Sequence, residues 1–436
     1  MDKTEILEIL NDWNFWSKEL PTTFTRKIYE DKISSLIEYD EILVIKGIRR
    51  SGKSTLMINQ IKTLLKNGVD KKDILYVNLE DPRFVNHLNL ELLEKIKEVY
   101  LEYLNPSDKP YIFLDEIQNI PSFEKWLNKE YELKNSVLTI SGSNSSMLSS
   151  EIASVLSGRY LSVDVMPLGF NEFLEFKGVS INSLLDFVNQ KIKINREFEE
   201  YLKYGGFPKV LDYKEEDKKE LLLTYKDSIL LKDIVARYRL KNYNTLNEIA
   251  AFLLANSGII QSVTRLKNSF KISYDMASSY LEYLKNAFLI YEVKKFDYSL
   301  KKQNLNDKKY YSADLGLSNI FRVANLQNRG SDLESIVFLE LLRRGYKVYY
   351  YKTSADYECD FLIELDGKIK TLLQVSKTLK DEKTTKRELK GLIKTKDELK
   401  LKDVNLQIIT EDKSNDMEFE KENIKVINIV QWLCLS

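Results

Sequence analysis

The chain has 436 residues, 43% hydrophobic and 30% charged, a globular composition with room for about two to four domain cores. Lysine plus arginine balances aspartate plus glutamate at 66 each, so no chain-wide basic field exists for nucleic acid and such a contact needs a local patch. Two cysteines, Cys359 and Cys434, and one histidine, His87, argue against a disulfide framework, a Cys- or His-rich metal site and a Ser-His-Asp triad, and fit a reducing, cytoplasmic setting.

The first residues, "MDKTEILEILNDWNFWSKEL", predict an amphipathic helix within 1–25 and lack the apolar core of a signal peptide. No window reaches the roughly 18 apolar residues of a membrane span. From "EILVIKG" to "SVLTISGS", apolar runs alternate with helical patterns. That alternation predicts a parallel sheet covered on both faces, with a core over 26–175. Residues 176–242 read as a helical linker or lid, with a break at "YGGFP". Residues 243–312 hold three short helical patterns and the β-like run "FLIYEVKKF". Residues 313–436 open with "DLESIVFLELLRRG" and continue with "YKVYYYK", "ECDFLIEL" and "TLLQVS" as a small α/β unit. The polar stretch 411–423, "EDKSNDMEFEKEN", reads as a solvated loop.

"GIRRSGKST" places Gly47, Gly52, Lys53, Ser54 and Thr55 in a complete Walker A pattern, after one predicted strand and at the start of a helix. Backbone N–H groups of such a loop, here also from Arg49 and Ser51, curl around a phosphate. The helix start adds positive potential, the lysine reaches the outer phosphates and Ser54 offers a hydroxyl to Mg²⁺. Arg49 and the neighbouring Arg50 face either phosphate or solvent. "YIFLDEI" ends an apolar strand in Asp115 and Glu116, a Walker B pattern. The first acid would hold Mg²⁺ and the second would polarise water. ATP and Mg²⁺ are therefore the expected cofactors. After "SVLTISGSN", Ser143 and Asn144 stand either where a polar group senses the terminal phosphate or in a plain turn. Arg159 in "LSGRY", after a predicted helix, reads either as an arginine finger, in cis or in trans, or as a helix-end cap.

"GIRRSGKST", "VNLEDPRF", "YIFLDEIQNI", "TISGSNSSML", "LSGRY" and "MPLGFNEFL" together resemble the AAA-type ATPases of archaea and bacteria. "LKDIVARYRLKN", "YYSADLGL", "LESIVFLELLRRGYKVYY" and "ECDFLIE" resemble the C-terminal part that many of them carry. The resemblance spans roughly 20–410. It implies an α/β fold: a P-loop NTPase core with a parallel sheet, then a winged-helix segment, then a nuclease-like α/β domain.

In the segment 243–312, three helices followed by two strands and a basic hairpin fit helix-turn-helix plus wing. Between Gln261 and Tyr310 ten bases (Arg265, Lys267, Lys271, Lys285, Lys294, Lys295, Lys301, Lys302, Lys308 and Lys309) face five acids. That excess suits phosphate contacts, with Ser273, Tyr274, Ser278 and Tyr280 on the expected recognition helix. A lid or a protein contact is the other use of such a segment. Nucleic acid, DNA before RNA, is the expected partner; a protein partner and an oligomer are compatible with the same features.

Glu334, Asp360 and the strand after them outline a PD-(D/E)XK nuclease. Gln374 and Ser376 stand where that chemistry wants glutamate and lysine. Neither holds a metal nor stabilises charge as the lost pair would, so a degenerate nuclease-like domain is expected. The basic helix over 383–396 covers either a phosphate groove or only solvent.

Overall fold

The structure is a computed structural model that describes residues 1–39, 41–145, 155–322 and 328–435. It divides into two compact units, Met1–Val165 with Asn286–Phe288, and Met166–Lys285 with Leu289–Ser436. The segments 176–242 and 313–436 fall in the second unit, as does 243–312 apart from Asn286–Phe288.

The first unit is built on five parallel strands: β1 (Ile42–Lys46), β2 (Ile74–Asn78), β3 (Tyr111–Asp115), β4 (Val137–Gly142) and β5 (Tyr160–Asp164), in spatial order β2-β3-β4-β1-β5. Successive side chains point to opposite faces, and both faces are covered, which is why each strand reads as a continuous apolar run. Ile42, Val44, Leu75, Val77, Ile112 and Leu114 pack with Leu93, Ile96 and Trp126 on one face. Leu43, Ile45, Tyr76 and Phe113 pack with Ile33, Leu56 and Ile61 on the other.

Helix α1 (Lys3–Trp13) starts at a capping box between Asp2 and Glu5 and buries Ile6, Ile9 and Leu10, one stripe at helical spacing. That stripe joins the core of the sheet. Just past its end, Asn14 donates to the Tyr76 carbonyl (2.8 Å) and accepts from the Tyr76 N–H (2.7 Å). Trp16 donates its indole N–H to the Ile74 carbonyl, 3.0 Å away. These side chains close the open edge of β2. The other helices of this unit that matter below are α2 (Lys27–Leu36), α3 (Lys53–Lys66), α4 (Leu90–Leu104) and α5 (Phe123–Leu133). Ser146–Leu148 of "TISGSNSSML", and most of the helix expected ahead of Arg159, lie outside the described residues.

In the second unit, helices Phe170–Phe176 and Lys191–Tyr204 meet through Phe170, Phe173, Phe198 and Tyr201. The predicted break at "YGGFP" is real. Gly205 takes φ +73° and a Cβ there would lie 1.9 Å from an Asp314 oxygen, so only glycine passes. Asp314 accepts the backbone N–H groups of Gly206 (2.7 Å) and Gly316 (2.8 Å), clasping the two loops together.

Between 243 and 312 the order is helix Tyr243–Ala255, strand β6 (Ile259–Gln261), helices Val263–Phe270 and Tyr274–Asn286, strand β7 (Ile290–Lys294), helix Leu300–Leu305 and strand β8 (Lys308–Ser312). The three strands form an antiparallel sheet with β8 in the middle. Two details differ from the sequence reading. The expected basic hairpin is a longer connection carrying its own short helix, with Lys301 and Lys302 on that helix. Tyr280, expected on an exposed recognition face, is buried with its hydroxyl directed to the Asn242 carbonyl, because it falls on the core stripe with Ala277, Leu281 and Leu284.

The last part is a six-stranded mixed sheet: β9 (Lys347–Lys352), β10 (Glu358–Leu365), β11 (Lys368–Ser376), β12 (Asn405–Thr410), β13 (Asn415–Phe419) and β14 (Glu422–Asn428), in order β13-β14-β12-β11-β10-β9. Helix Glu382–Glu398 packs Leu389, Leu392 and Ile393 on Cys359, Leu362 and Leu372. Phe338 of helix Arg329–Arg343 stacks on Phe361 and on Tyr311. The stretch 411–423, expected as a loop, contains edge strand β13. Its side chains are exposed or half-exposed throughout, so no apolar alternation marks it. Among the described residues no helix is long and apolar enough to cross a membrane.

Candidate functional site

The phosphate-binding pattern sits where β1 runs into α3. Gly47 takes φ +152°, and a Cβ there would stand 2.0 Å from the Val165 carbonyl oxygen, so the loop turns this tightly only with glycine. Gly52, in the left-handed region, is the residue ahead of α3. Arg50 also has positive φ and is exposed, whereas Arg49 and Ser51 are buried. Arg49 pairs with Glu80 just beyond β2, 2.7 Å away. Arg26, at the start of α2, is buried, lies over the Tyr29 ring and donates to the Ser51 carbonyl at 2.9 Å. Nothing in the sequence pattern marks Arg26 or Glu80 as a support of this loop.

Lys53 is buried and folds back on the loop, donating to the carbonyls of Gly47 (3.1 Å) and Ile48 (3.3 Å), with Glu116 at 3.6 Å. Asp115 ends β3 and is held by three hydroxyls. Tyr76 of the neighbouring β2 donates at 2.7 Å, Ser141 of the neighbouring β4 donates to the other oxygen, and Ser54 bonds it from α3. Ser141 also accepts the Glu116 N–H at 3.1 Å, so one hydroxyl fixes both acids. Glu116 itself adopts φ +57°, a left-handed conformation costly for a residue with a Cβ. Gln118 donates to its carboxylate, and Ser143 lies 3.4 Å from the same Gln118 amide. Ser143 and Asn144 are fully buried directly after β4, at the same end of the sheet.

The two adjacent carboxyls are driven apart. Burial pushes Asp115 up, with the charge of Glu116 adding to it, against the hydrogen bonds of Ser141, Ser54 and Tyr76. Burial also works to raise Glu116. Lys53 and Arg49, with hydrogen bonds from Gln118 and Ser143, outweigh it and hold that carboxyl below its ordinary range.

Arg159 is not brought to this site. Its carbonyl accepts the Ile42 N–H at 2.9 Å, and Tyr160 pairs with Ile42 at the start of β1. The loop follows the far end of β1, about 13 Å along the strand. The guanidinium instead pairs with Glu132 (2.6 Å), bonds Asn128 and lies over Tyr131, all on α5.

In the second unit, Glu334, Asp360 and Gln374 do converge, on a cleft of about 500 Å³ that also has Glu358, Arg387 and Glu388 on its wall. Gln374 accepts the Asp360 N–H (3.2 Å) and donates to Glu388 (2.6 Å), a buried acid of helix Glu382–Glu398 that the sequence pattern did not mark. Ser376 is turned away, donating to the Thr378 carbonyl. Lys309, counted among the bases of an exposed wing, is instead fully inside. Its ammonium lies 2.8 Å from Glu334, 2.6 Å from Glu358 and 3.6 Å from Asp360. Among the described residues no group of three or more acidic, histidine or cysteine side chains is arranged to hold a metal ion.

A parallel sheet in this order, with the phosphate loop after β1 and an acidic pair after β3, defines an AAA-type P-loop NTPase, and residues 39–174 match the family model described as an AAA domain. Residues 195–329 and 329–432 match two domains of unknown function, DUF8612 and DUF4143. The chain belongs to the same family as an uncharacterized protein of Methanocaldococcus jannaschii, to which it is 36% identical over 88% of its own length and 84% of that protein. It is also similar to an uncharacterized protein of Haemophilus influenzae, 32% identical over 94% of this chain and 98% of that one. Among solved structures it is similar to the Walker-type ATPase PABY2304 of Pyrococcus abyssi, at 18% identity and a TM-score of 0.45, covering 69% of this chain and 96% of that one.

Proposed function

We propose that the protein binds ATP with Mg²⁺, hydrolyses it, and uses the cycle as a switch or motor on nucleic acid, DNA in the first place. The single observation that carries the hydrolase reading is the geometry of two adjacent buried acids, Asp115 and Glu116, both bonded by the Ser141 hydroxyl, with the buried Lys53 ammonium 3.6 Å from Glu116. Gly47, Arg49, Ser51, Gly52, Lys53, Ser54 and Thr55 form the phosphate cradle. The exposed Ser54 hydroxyl and the buried Asp115 carboxyl that it bonds fit a Mg²⁺ shell, and the ion there would neutralise charge on the phosphates. Lys53 would leave the carbonyls of Gly47 and Ile48 for phosphate oxygens. Glu116, kept ionised, would orient and polarise the attacking water. Ser143 and Asn144 would report the terminal phosphate to β4. A finger role for Arg159 would act in trans, toward the nucleotide of a second copy, and its contacts with Glu132 and Asn128 equally suit a purely structural role.

The nucleic-acid reading rests on the segment 243–312, whose helix, strand, two helices, strand and returning strand fit a winged helix. Lys267, Lys271, Lys301 and Lys302 remain exposed on it, as do Ser273, Tyr274 and Ser278. A second reading, a scaffold ATPase that binds protein, is favoured by the withdrawal of Lys309 and by the exposed apolar side chains of Leu184, Leu185, Val188 and Ile192.

Phosphate release by the wild type, Lys53→Ala and Glu116→Gln, with and without duplex DNA over a range of salt, tests both levels. Turnover is expected in the wild type alone, stimulated by DNA with a steep salt dependence. Equal turnover in all three proteins would overturn the hydrolase assignment. Turnover indifferent to DNA, with no DNA retained at low salt, would overturn the nucleic-acid reading and leave the protein-binding one.

A further inference from the structure

A nuclease-like α/β domain implies a divalent cation held by the carboxylates of its cleft. The residues present do not fit one. The three acids that face each other, Glu334, Glu358 and Asp360, already share a cation: the Lys309 ammonium lies within 3.6 Å of all of them. A Mg²⁺ ion held by the same oxygens at about 2.1 Å would be pressed against that ammonium, cation on cation. Other donors fix the same acids. Tyr311 donates to the Glu334 oxygen that Lys309 contacts (2.6 Å), and the Val375 N–H donates to the second Asp360 oxygen (2.9 Å).

Lys309 is not on a loop that could swing aside. It sits in β8, the middle strand of its sheet, paired with Ile260 on one side and Val293 on the other. The Tyr350 ring lies over its ammonium, 5.7 Å from the ring centre. Burial opposes its charge, but the surrounding carboxylates prevail and hold it protonated well above the ordinary lysine range.

We infer that the carboxylate centre of the terminal sheet carries its own built-in cation, the Lys309 ammonium, and is closed to divalent metal ions. The lysine comes from the part of the chain matched by DUF8612, and the acids come from the part matched by DUF4143. The centre is therefore completed only when both segments fold together, and the cleft is a fixed ion cluster where a metal-dependent hydrolase would need an open one. This inference stands apart from the nucleotide reading.

Mn²⁺ binding to the nucleotide-free full-length chain, followed by electron paramagnetic resonance, tests it. An Asp115→Asn background removes any contribution from the phosphate loop. The background protein is expected to show no saturable Mn²⁺ site. Adding Lys309→Met opens the acids and should create one such site, lost again on further addition of Asp360→Asn. A folded Lys309→Met protein that gains no Mn²⁺ would overturn the inference. Should Lys309→Met fail to fold, comparison of the background with background plus Asp360→Asn still decides. Equal absence of a site in both supports the closed centre, and a site present in the first and lost in the second overturns it.

Discussion

The Tyr76 hydroxyl donates to the Asp115 carboxylate across 2.7 Å, from one parallel strand to the next. The tyrosine is buried on the α2–α3 face of the sheet, so its oxygen reaches the carboxylate without meeting water. Tyr76→Phe keeps the ring and removes only this donor. The loss is expected to cost about 1–2 kcal/mol of stability, since Ser141 and Ser54 still bond the acid. It should also loosen the position of Asp115, so that nucleotide turnover needs more Mg²⁺ to saturate. Urea unfolding and a Mg²⁺ titration of phosphate release check the two effects. Unchanged values in both would mean the bond holds nothing.

The Asn14 side chain makes three hydrogen bonds from a buried position, two of them to the backbone of Tyr76 and one to the Leu10 carbonyl (2.7 Å). Asn14→Ala leaves a backbone N–H and C=O of edge strand β2 without their side-chain partners. A loss of about 2–4 kcal/mol is expected, together with a greater tendency to associate through the bared edge. Denaturant unfolding gives the first and light scattering the second.

Asp314 is buried, and that burial lifts its carboxyl to about 6, against the pull of the Gly206, Gly316 and Leu317 N–H groups and of Arg343. The folded value lies above the unfolded one, so the folded chain binds the extra proton. The stabilising contribution is complete below the unfolded value near 3.8 and is lost as pH rises through about 6. The difference amounts to roughly 3 kcal/mol at one pKa unit per 1.36 kcal/mol. Asp314→Asn cannot titrate, and the stability of the wild type relative to it should therefore fall between pH about 4 and about 7. A difference constant over that window would place the Asp314 carboxyl at its ordinary value.

Half-exposed Arg159 pairs with exposed Glu132 and bonds Asn128, and it stands at the opposite end of β1 from the phosphate loop. Arg159→Ala should leave ATP affinity of a single chain unchanged and cost no more than about 1 kcal/mol, as exposed ion pairs do. Calorimetric titration with a non-hydrolysable ATP analogue reads the affinity. A tenfold or greater loss of affinity in the monomer would contradict the register argument.

Much of the first unit is legible in the residues. Parallel strands covered on both faces leave unbroken apolar runs, and the phosphate loop is a local motif whose glycines, lysine and hydroxyl lie within nine consecutive positions, Gly47 to Thr55. Asp115 and Glu116 are legible for the same reason, because they end such a run. The supports of that pair are not. Tyr76 and Ser141 lie 39 and 26 residues from Asp115 and meet it only through strand order, which spacing along the chain does not encode.

In the second unit the balance shifts. Helices, the "YGGFP" break and most strands follow from periodicity and glycine, while β13 escapes because an exposed edge strand has no buried face to write into its pattern. The charge count over 261–310 treats all lysines alike, and only tertiary structure distinguishes exposed Lys301 and Lys302 from buried Lys309. The absence of a Glu-x-Lys pair at Gln374 and Ser376 is visible in the residues, but Glu388 and Lys309 approach that cleft from a helix and from another sheet.

By itself the sequence determined the nucleotide-binding chemistry, since a loop of contiguous residues and an acidic strand end need only local backbone geometry to form. Tertiary structure alone decided which charges are spent inside the fold. Whether a lysine meets phosphate or a buried carboxylate depends on strand pairing between residues far apart in the chain, and burial then makes that pairing energetically binding.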